Sequence, residues 1–94
     1  MRIDGFDWNA GNSDKCRSHG VTLTEIENLF SRPHVISPDV KHSLDEQRFI
    51  AIGHNHEGRP LFVVFTARAD GRGLMVRPIS ARYMHAKEFS RYGW

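Results

Sequence analysis

Apolar side chains recur at helical spacing in the segment between residues 22 and 32. Four of them fall on one stripe of a helix: Leu23, Ile26, Leu29 and Phe30. Thr22 and Glu25 carry the capping-box pattern, in which a hydroxyl and a carboxylate accept the first free N–H groups of a helix. Pro33 disfavours helical geometry at the residue before it. The pattern therefore predicts a helix that begins at Thr22 and ends before Pro33.

The segment before this helix is polar and predicts a shorter helix of its own. Three residues are suited to cap its N-terminus: Asn9, Ser13 and Asp14. The helix is expected to run to about Ser18, because Gly20 offers the positive-φ position that commonly ends a helix. Ahead of it, residues 3–8 are interpreted as a short first strand. Cys16, within the helix, is expected to be buried in the core.

Three strand-like apolar runs fill the second half of the chain. They span residues 48–53, 61–68 and 74–80. The run at 61–68 is apolar on both faces, which is typical of a central strand covered on both sides. Turn residues at 55–59 and 70–71 predict hairpins between the runs. Pro78 cannot donate a ladder hydrogen bond, so the third strand is expected at an edge or with that side unpaired.

This order of elements predicts an α+β fold in a single domain that spans residues 1–94. An antiparallel β-sheet meander carries two N-terminal helices packed on one face, and a C-terminal helix follows the last strand. Residues 34–37 are expected to be extended and residues 39–45 to form a loop. Ser80 is suited to cap the last helix, whose apolar contacts are expected to be Tyr83, Met84, Phe89 and Tyr92. The opposite face of the sheet is left open for function.

Composition narrows the class of protein. The chain has 94 residues with one cysteine, so no internal disulfide can form and a reducing compartment is favoured. The first residues contain no apolar run of the kind found in a signal peptide. No segment approaches the ~20 apolar residues of a membrane span. A cytoplasmic location without membrane contact is therefore the expectation.

Positive charge is concentrated in the C-terminal part of the chain. Residues 59–94 carry seven cations and two carboxylates, a net charge of +5. Because the whole chain has a net charge of +2, residues 1–58 must carry −3. Such asymmetry predicts one basic face that suits an anionic partner such as RNA, although a solvated basic surface gives the same pattern.

Two arginines of this basic region are expected to converge. Side chains alternate along strands, and a loop of two or four residues between the last two strands places Arg68 and Arg77 on one side. In this prediction Arg77 shares its face with Met75 and Ile79. Neighbouring guanidinium groups repel unless an anion lies between them, and a guanidinium fork matches a phosphate. The sequence therefore predicts an anion pocket at this hairpin.

Two further arginines are candidates for the same cation cluster. Arg82 follows the third strand-like run, and Arg48 begins the first one. The alternative is that each arginine pairs with a carboxylate and serves the fold. Four carboxylates are available for such pairs: Asp45, Glu46, Asp70 and Glu88.

Histidine and tryptophan are the other candidates for chemistry. His19, after the first helix, is either a general acid or base or a cap of the helix carbonyls. His54 and His56 have a spacing that permits a metal pair, but no carboxylate–cysteine set completes a site, so neither a metal nor a cofactor is expected. Trp8 and Trp94 are suited to stack on bases, and Trp8 equally suits the core.

Five sequence blocks carry a resemblance to a known family. They are residues 6–8 (Phe-Asp-Trp), 15–21 (Lys-Cys-Arg-Ser-His-Gly-Val), 46–49 with Gly53, 61–66, and 77–84 (Arg-Pro-Ile-Ser-Ala-Arg-Tyr-Met). The last block is the most specific, and the block with His-Gly-Val is next. With these blocks the chain resembles the BrnT toxin family over nearly its whole length.

This resemblance implies a compact α+β ribonuclease that is related in fold to the RelE toxins and acts in a bacterial cytoplasm. It implies a BrnA-like antitoxin of the ribbon-helix-helix type, which binds operator DNA and forms a hetero-oligomer with the toxin. By position, family-like functional residues fall at His19, Glu46, Arg48, Arg68, Arg77, Ser80 and Arg82. Asn9 stands where the family usually has aspartate, and Ser18 stands where it usually has lysine.

The resulting hypothesis is metal-free RNA cleavage that inhibits translation. The phosphate is assigned to Arg68, Arg77 and Arg82, and Arg48 is a fourth candidate. Glu46 or His19 acts as base or acid, in an order that the sequence leaves open. Ser80 either orients a phosphate oxygen or caps the last helix. The ribose 2′-hydroxyl is the group that makes RNA, and not DNA, the substrate.

Two alternatives remain open at this point. One is a non-catalytic module whose basic face docks nucleic acid or an acidic protein surface. The other is a metal-dependent nuclease that uses His54 and His56. RNA cleavage in the presence of a chelator distinguishes the three hypotheses. The metal-free ribonuclease continues to cut RNA, the metal-dependent nuclease loses its activity, and the non-catalytic module binds RNA without cutting it.

Overall fold

The computed structural model describes residues 2–42 and 46–92. Within that part of the chain the strands are β1 (Gly5–Phe6), β2 (His34–Pro38), β3 (Phe49–His54), β4 (Pro60–Asp70) and β5 (Gly73–Tyr83). The helices are α1 (Ala10–Arg17), α2 (Leu23–Leu29) and α3 (Ala86–Ser90), and a single 3₁₀ turn covers Val40–His42. Two residues named above, Asp45 and Trp94, lie outside the described residues. The mixed α+β class is confirmed.

Both predicted N-terminal helices begin with a capping box. At α2 the Thr22 hydroxyl accepts the Glu25 N–H (3.1 Å), and the Glu25 carboxylate accepts the Thr22 N–H (3.0 Å). At α1 the cap is Asn9, whose side chain accepts the Asn12 N–H at 3.0 Å. Each reciprocal pair satisfies two N–H groups that a helix start leaves unpaired. The capping box of α2, read from the sequence, is therefore confirmed.

The five strands form one sheet in the order β1-β5-β4-β3-β2. The strands β2 to β5 follow one another as an antiparallel meander, in which β3 to β5 are the three predicted strands and β2 is the segment predicted to be extended. The first strand, for which the sequence predicted no partner, lies parallel to β5. Of the two alternatives given for Pro78, an edge position of its strand is wrong because β1 lies on the outer side of β5, whereas an unpaired side at Pro78 fits the structure. The β1 pairing ends at Val76, and beyond it the Pro78 carbonyl accepts the Asn12 side-chain amide at 2.8 Å.

The main core cluster joins α1 and α2 to one face of the sheet. The helices contribute Cys16, Ile26 and Leu29. The sheet contributes Ala51, Leu61, Val63, Phe65, Val76 and Ala81. Cys16 is fully buried, as expected, and this burial raises the pKa of its thiol to about 11. The thiol therefore stays protonated at neutral pH and serves packing.

The C-terminal helix covers part of the other face of the sheet. Phe89 of α3 and Met84 form a second buried cluster with Ile52, and Phe62 packs against it. The predicted cap of this helix is wrong, because β5 continues to Tyr83 and Ser80 lies inside that strand. The N-cap of α3 is His85, whose ring nitrogen accepts the Lys87 N–H at 3.4 Å.

An irregularity between β4 and β5 changes which side chains share a face. Ser80 and Pro78 pair with consecutive residues of β4, so Ile79 is skipped in the register. An extra residue of this kind shifts the alternation of side chains by one position. Ser80 therefore lies on the same face as Arg77 and Met75, which strict alternation along β5 does not predict.

Among the described residues, no helix has the length and apolar character needed to cross a membrane.

Candidate functional site

A pocket of about 290 Å³ opens on the sheet face opposite the main core, beside the part that α3 covers. Its walls come from the end of β1, the start of α1, the segment before β3, and the β4–β5 hairpin. The lining residues are Asp7, Trp8, Asn9, Glu46, Thr66, Arg68, Met75 and Arg77. Three of the predicted site residues, Glu46, Arg68 and Arg77, therefore lie in one pocket.

The β4–β5 register explains why the two arginines meet. Asp70 pairs with Gly73 across a two-residue loop, so Thr66 pairs with Arg77 and Arg68 pairs with Met75. Paired residues of an antiparallel ladder project from the same face, and Thr66 and Arg68 are two residues apart on one strand. The predicted convergence of Arg68 and Arg77 is confirmed.

Glu46 lies between these cations. Its carboxylate accepts a hydrogen bond from Arg68 Nη2 at 3.1 Å. The Thr66 hydroxyl and then the Arg68 guanidinium hold the pKa of the Glu46 carboxyl below its ordinary value, and the charge of Arg77 adds to this. Hydrogen bonds and cations that favour the charged form keep such a group ionised at neutral pH. The pocket therefore contains a carboxylate that is ready to accept a proton but is only weakly basic.

Arg77 is the cation of the pocket that is available to a ligand. Its side chain is exposed, whereas Arg68 already forms an ion pair with Glu46. Within residues 2–42 and 46–92, no side chain forms a hydrogen bond or ion pair with the Arg77 guanidinium. A planar guanidinium of this kind binds two oxygens of a phosphate at once.

The start of α1 forms the opposite wall of the pocket. Asn9 caps the helix here, and the buried Asn12 side chain donates to the carbonyls of Asp7 (3.0 Å) and Pro78 (2.8 Å). These bonds attach the wall to β5. Asparagine and aspartate are equally good N-caps, so the asparagine at position 9 keeps the cap that the family aspartate provides.

Trp8 is held in place by both polar and apolar contacts. Its indole N–H donates to the Glu27 carboxylate of α2 at 2.8 Å, and its ring packs against the main core. The ring therefore forms a fixed edge of the pocket. Both predicted uses of Trp8, packing and contact with a base, are compatible with this position.

The structure does not bring Arg82 to the pocket. Its guanidinium donates to both oxygens of Glu88 on α3, each at 2.8 Å, and lies 4.3 Å above the Phe62 ring. Arg82 pairs with Phe62, four residues along β4 from the partner of Arg77, which is roughly 13 Å at strand rise. The predicted gathering of three arginines is therefore wrong for Arg82.

Three further predicted site residues also lie outside the pocket lining. Ser80 pairs with Val64 within the β4–β5 ladder. Arg48 precedes β3, and its carbonyl accepts the Asp39 N–H at 2.8 Å. His19 is exposed after the C-terminal end of α1, whereas Asn9 at the other end lines the pocket. A helix of eight residues separates the two by about 12 Å.

Ser18, where the family usually has lysine, also lies at the far end of α1. Its hydroxyl donates to the Lys15 carbonyl at 2.7 Å, and it does not line the pocket. The serine at this position therefore takes no cation away from the lining of the pocket.

The two histidines considered for a metal have separate surroundings. The His54 ring packs edge-on against Phe89, with the ring centres 4.4 Å apart. The His56 ring is exposed, and its nearest carboxylate is Glu57 at 3.5 Å. In the described part of the chain, no group of three or more His, Cys, Asp or Glu side chains is arranged to hold a metal ion.

Sequence reasoning missed three residues of the pocket. Thr66, two residues before Arg68 on the same strand and so on the same face, was assigned no role. Met75 was placed beside Arg77, and it forms part of the lining. Asp7 belongs to the family block at residues 6–8, but nothing in the sequence placed it in the pocket, because the parallel pairing that brings the end of β1 to β5 has no local sequence pattern.

Comparison with known proteins gives one family. A family model described as the ribonuclease toxin BrnT of type II toxin–antitoxin systems matches residues 8–88 of the chain. The match includes Glu46, Arg68 and Arg77. No curated protein matches the chain.

Proposed function

Because this chain belongs to the BrnT family of ribonuclease toxins of type II toxin–antitoxin systems, we propose that it cuts RNA in the pocket of Glu46, Arg68 and Arg77. The observation that carries the proposal is the exposed Arg77 guanidinium beside a carboxylate that its neighbours keep ionised. A phosphodiester fits the guanidinium, because its negative charge needs a cation. The ribose 2′-hydroxyl fits the carboxylate, because it needs a proton acceptor.

In the proposed reaction Glu46 accepts the proton of the ribose 2′-hydroxyl, and the 2′-oxygen attacks the adjacent phosphorus. Arg77 and Arg68 bind the phosphate oxygens as negative charge builds on them, and the 5′-oxygen leaves and takes up a proton. The main contribution of the arginines is electrostatic, because they are already in place before the charge develops. No step of this reaction requires a metal ion.

The proposal does not use the other four residues predicted from the sequence. A catalytic role for His19, Arg48, Ser80 or Arg82 stays a prediction from family resemblance, and the proposed reaction assigns them none, because none of them lines the pocket. A general acid must lie within hydrogen-bond reach of the leaving oxygen, which is bonded to the phosphorus in the pocket, so His19 at the far end of α1 is too distant for this step and the proton comes from water.

A type II system includes a cognate antitoxin, so this chain has a protein partner by family. We propose that this antitoxin is BrnA-like, with a ribbon-helix-helix fold that binds operator DNA, and that the toxin acts on cytoplasmic RNA and thereby inhibits translation. Relation to the RelE fold remains part of the same proposal.

The test is an RNA cleavage assay of the purified chain with and without a chelator. We expect cleavage to persist when the chelator removes divalent metal, because the proposed chemistry uses side chains alone. Loss of cleavage with chelator contradicts the proposal and favours a metal-dependent nuclease. Tight, salt-dependent binding without cleavage also contradicts it, and favours a module that only binds nucleic acid.

A further inference from the structure

The formal charges that line the pocket cancel. Arg68 and Arg77 are balanced by Asp7 and Glu46, so the lining has no net charge. A pocket without net charge gives a phosphodiester no net electrostatic attraction, and the lining carboxylates repel the phosphate. If the pocket binds RNA, a further group must offset one of the carboxylates.

Arg72 is in contact with one of them. Its guanidinium donates to both oxygens of Asp7, from Nη1 at 2.7 Å and from Nη2 at 3.3 Å. Arg72 is not part of the pocket lining, and its contact with the lining is the ion pair with Asp7. The opposing charge raises the pKa of Arg72 further above its usual range, with Asp70 the larger cause and Asp7 the next.

The hairpin between β4 and β5 fixes Arg72 in this position. Gly73 takes a positive φ of 105°, which closes the two-residue loop. Asp70 accepts the backbone N–H of Arg72 at 2.8 Å and binds the Nε–Nη2 edge of the guanidinium. The other edge is thereby directed to Asp7. Asp7 lines the pocket and Asp70 does not, so the charge of Asp70 is farther than that of Asp7 from a phosphate bound there.

We propose that Arg72 is a positioning residue which neutralises Asp7, a carboxylate of the pocket lining, and so favours the binding of an RNA phosphodiester in the pocket. This inference rests on the proposed function of the same pocket. It assigns to Arg72 an effect on substrate binding and not on the chemical step, because Arg72 does not reach the reacting atoms.

A purely structural role is the competing explanation, since the same ion pair attaches β1 to the β4–β5 hairpin. The two explanations differ in one respect. If Arg72 only stabilises the fold, removal of the Asp7 charge brings no recovery. If it neutralises Asp7, replacement of that carboxylate by an amide makes the cation unnecessary.

The test measures kcat and KM for a short RNA with Arg72→Gln, Asp7→Asn and the double variant. We expect Arg72→Gln to raise KM about five-fold at low salt, the size expected of one uncompensated charge near a solvated site, with kcat unchanged. The double variant is expected to recover the wild-type KM, and Asp7→Asn alone is expected to lower KM, because the Arg72 charge is then no longer offset by Asp7. High salt should reduce the difference, because it screens exposed charges.

Arg17→Gln is the matched control. Arg17 forms an exposed ion pair with Asp14 on α1 at 2.8 Å and does not line the pocket, so the variant loses the same charge elsewhere. An equal rise of KM in Arg17→Gln overturns the proposal, and so does a double variant that stays as weak as Arg72→Gln. A raised KM in Asp7→Asn alone also contradicts it.

A second measurement separates this inference from the proposed function. Binding of a single-stranded oligodeoxynucleotide of the same sequence depends on phosphate charge and requires no 2′-hydroxyl. Weaker binding by Arg72→Gln that Asp7→Asn restores supports the charge compensation even if the wild-type chain cuts no RNA. If Arg72→Gln binds the oligodeoxynucleotide as tightly as the wild-type chain, the inference is overturned. The proposed function then still stands as long as the wild-type chain cleaves RNA.

Discussion

Replacement of Arg77 by alanine is expected to lower the rate of RNA cleavage by about 10²–10³, the usual loss when one preorganised donor to a developing oxyanion is removed. Arg77 is the pocket cation without an ion pair among the described residues, so nothing else in the pocket replaces its contact with the phosphate. Its side chain is exposed, and the fold should remain intact. The measurements are the cleavage rate and the thermal unfolding curve.

Arg82→Ala is the matched control for this prediction. Arg82 lies on the same strand and face, but Glu88 binds its guanidinium at two points. We expect this variant to keep the wild-type rate and to lose at most ~1 kcal/mol of stability, since the pair is partly exposed. A wild-type cleavage rate in Arg77→Ala, or an equal loss of rate in both variants, contradicts the proposed location of the active site.

Glu46→Gln is expected to lower the cleavage rate by about 10²–10⁴, because an amide cannot accept the 2′-hydroxyl proton. The pH dependence gives a second test. Hydrogen bonds from Thr66 and Arg68 lower the pKa of the Glu46 carboxyl. A base works in its ionised form, so activity should persist as the pH falls to the ordinary carboxyl pKa of about 4.3 and be lost only below it.

Arg68→Gln provides the control for this pH argument. It removes one of the groups that lower the pKa of Glu46, so the acid limb of the pH–rate profile should move to higher pH. An active Glu46→Gln variant contradicts the role of Glu46 as base. A wild-type acid limb near neutral pH points instead to a histidine.

Local patterns predicted the two N-terminal helices well, because their signals lie within a few residues of one another. The helix start at Thr22 depends on Glu25, three residues away, and both contacts are present. The convergence of Arg68 and Arg77 was equally accessible, because a two-residue loop and strand alternation are enough to derive it.

The errors involve contacts that no local pattern specifies. The skipped residue Ile79 was not visible, because a bulge is defined by the partner strand. Ser80 is a predicted helix cap, but β5 continues past it to Tyr83, and Ser80 pairs with Val64 in the β4–β5 ladder. The parallel pairing of β1 with β5 was also inaccessible, and it is the contact that brings Asp7 to the pocket.

The candidate site was predictable only in part for the same reason. Alternation along β4 and β5 brought two cations together. Glu46 was named through family resemblance, because it precedes β3 in an irregular segment whose position no periodicity predicts. Arg82 was misplaced, because its partner Glu88 belongs to a helix that folds back over the sheet.

Analysis of the RNA ends that the purified wild-type chain produces in the presence of a chelator tests the account most directly. Attack by the 2′-hydroxyl, with Glu46 as base, predicts a 2′,3′-cyclic phosphate on one product and a 5′-hydroxyl on the other. Products that carry a 5′-phosphate and a 3′-hydroxyl would show that water, and not the ribose, attacks the phosphorus, and would contradict the account.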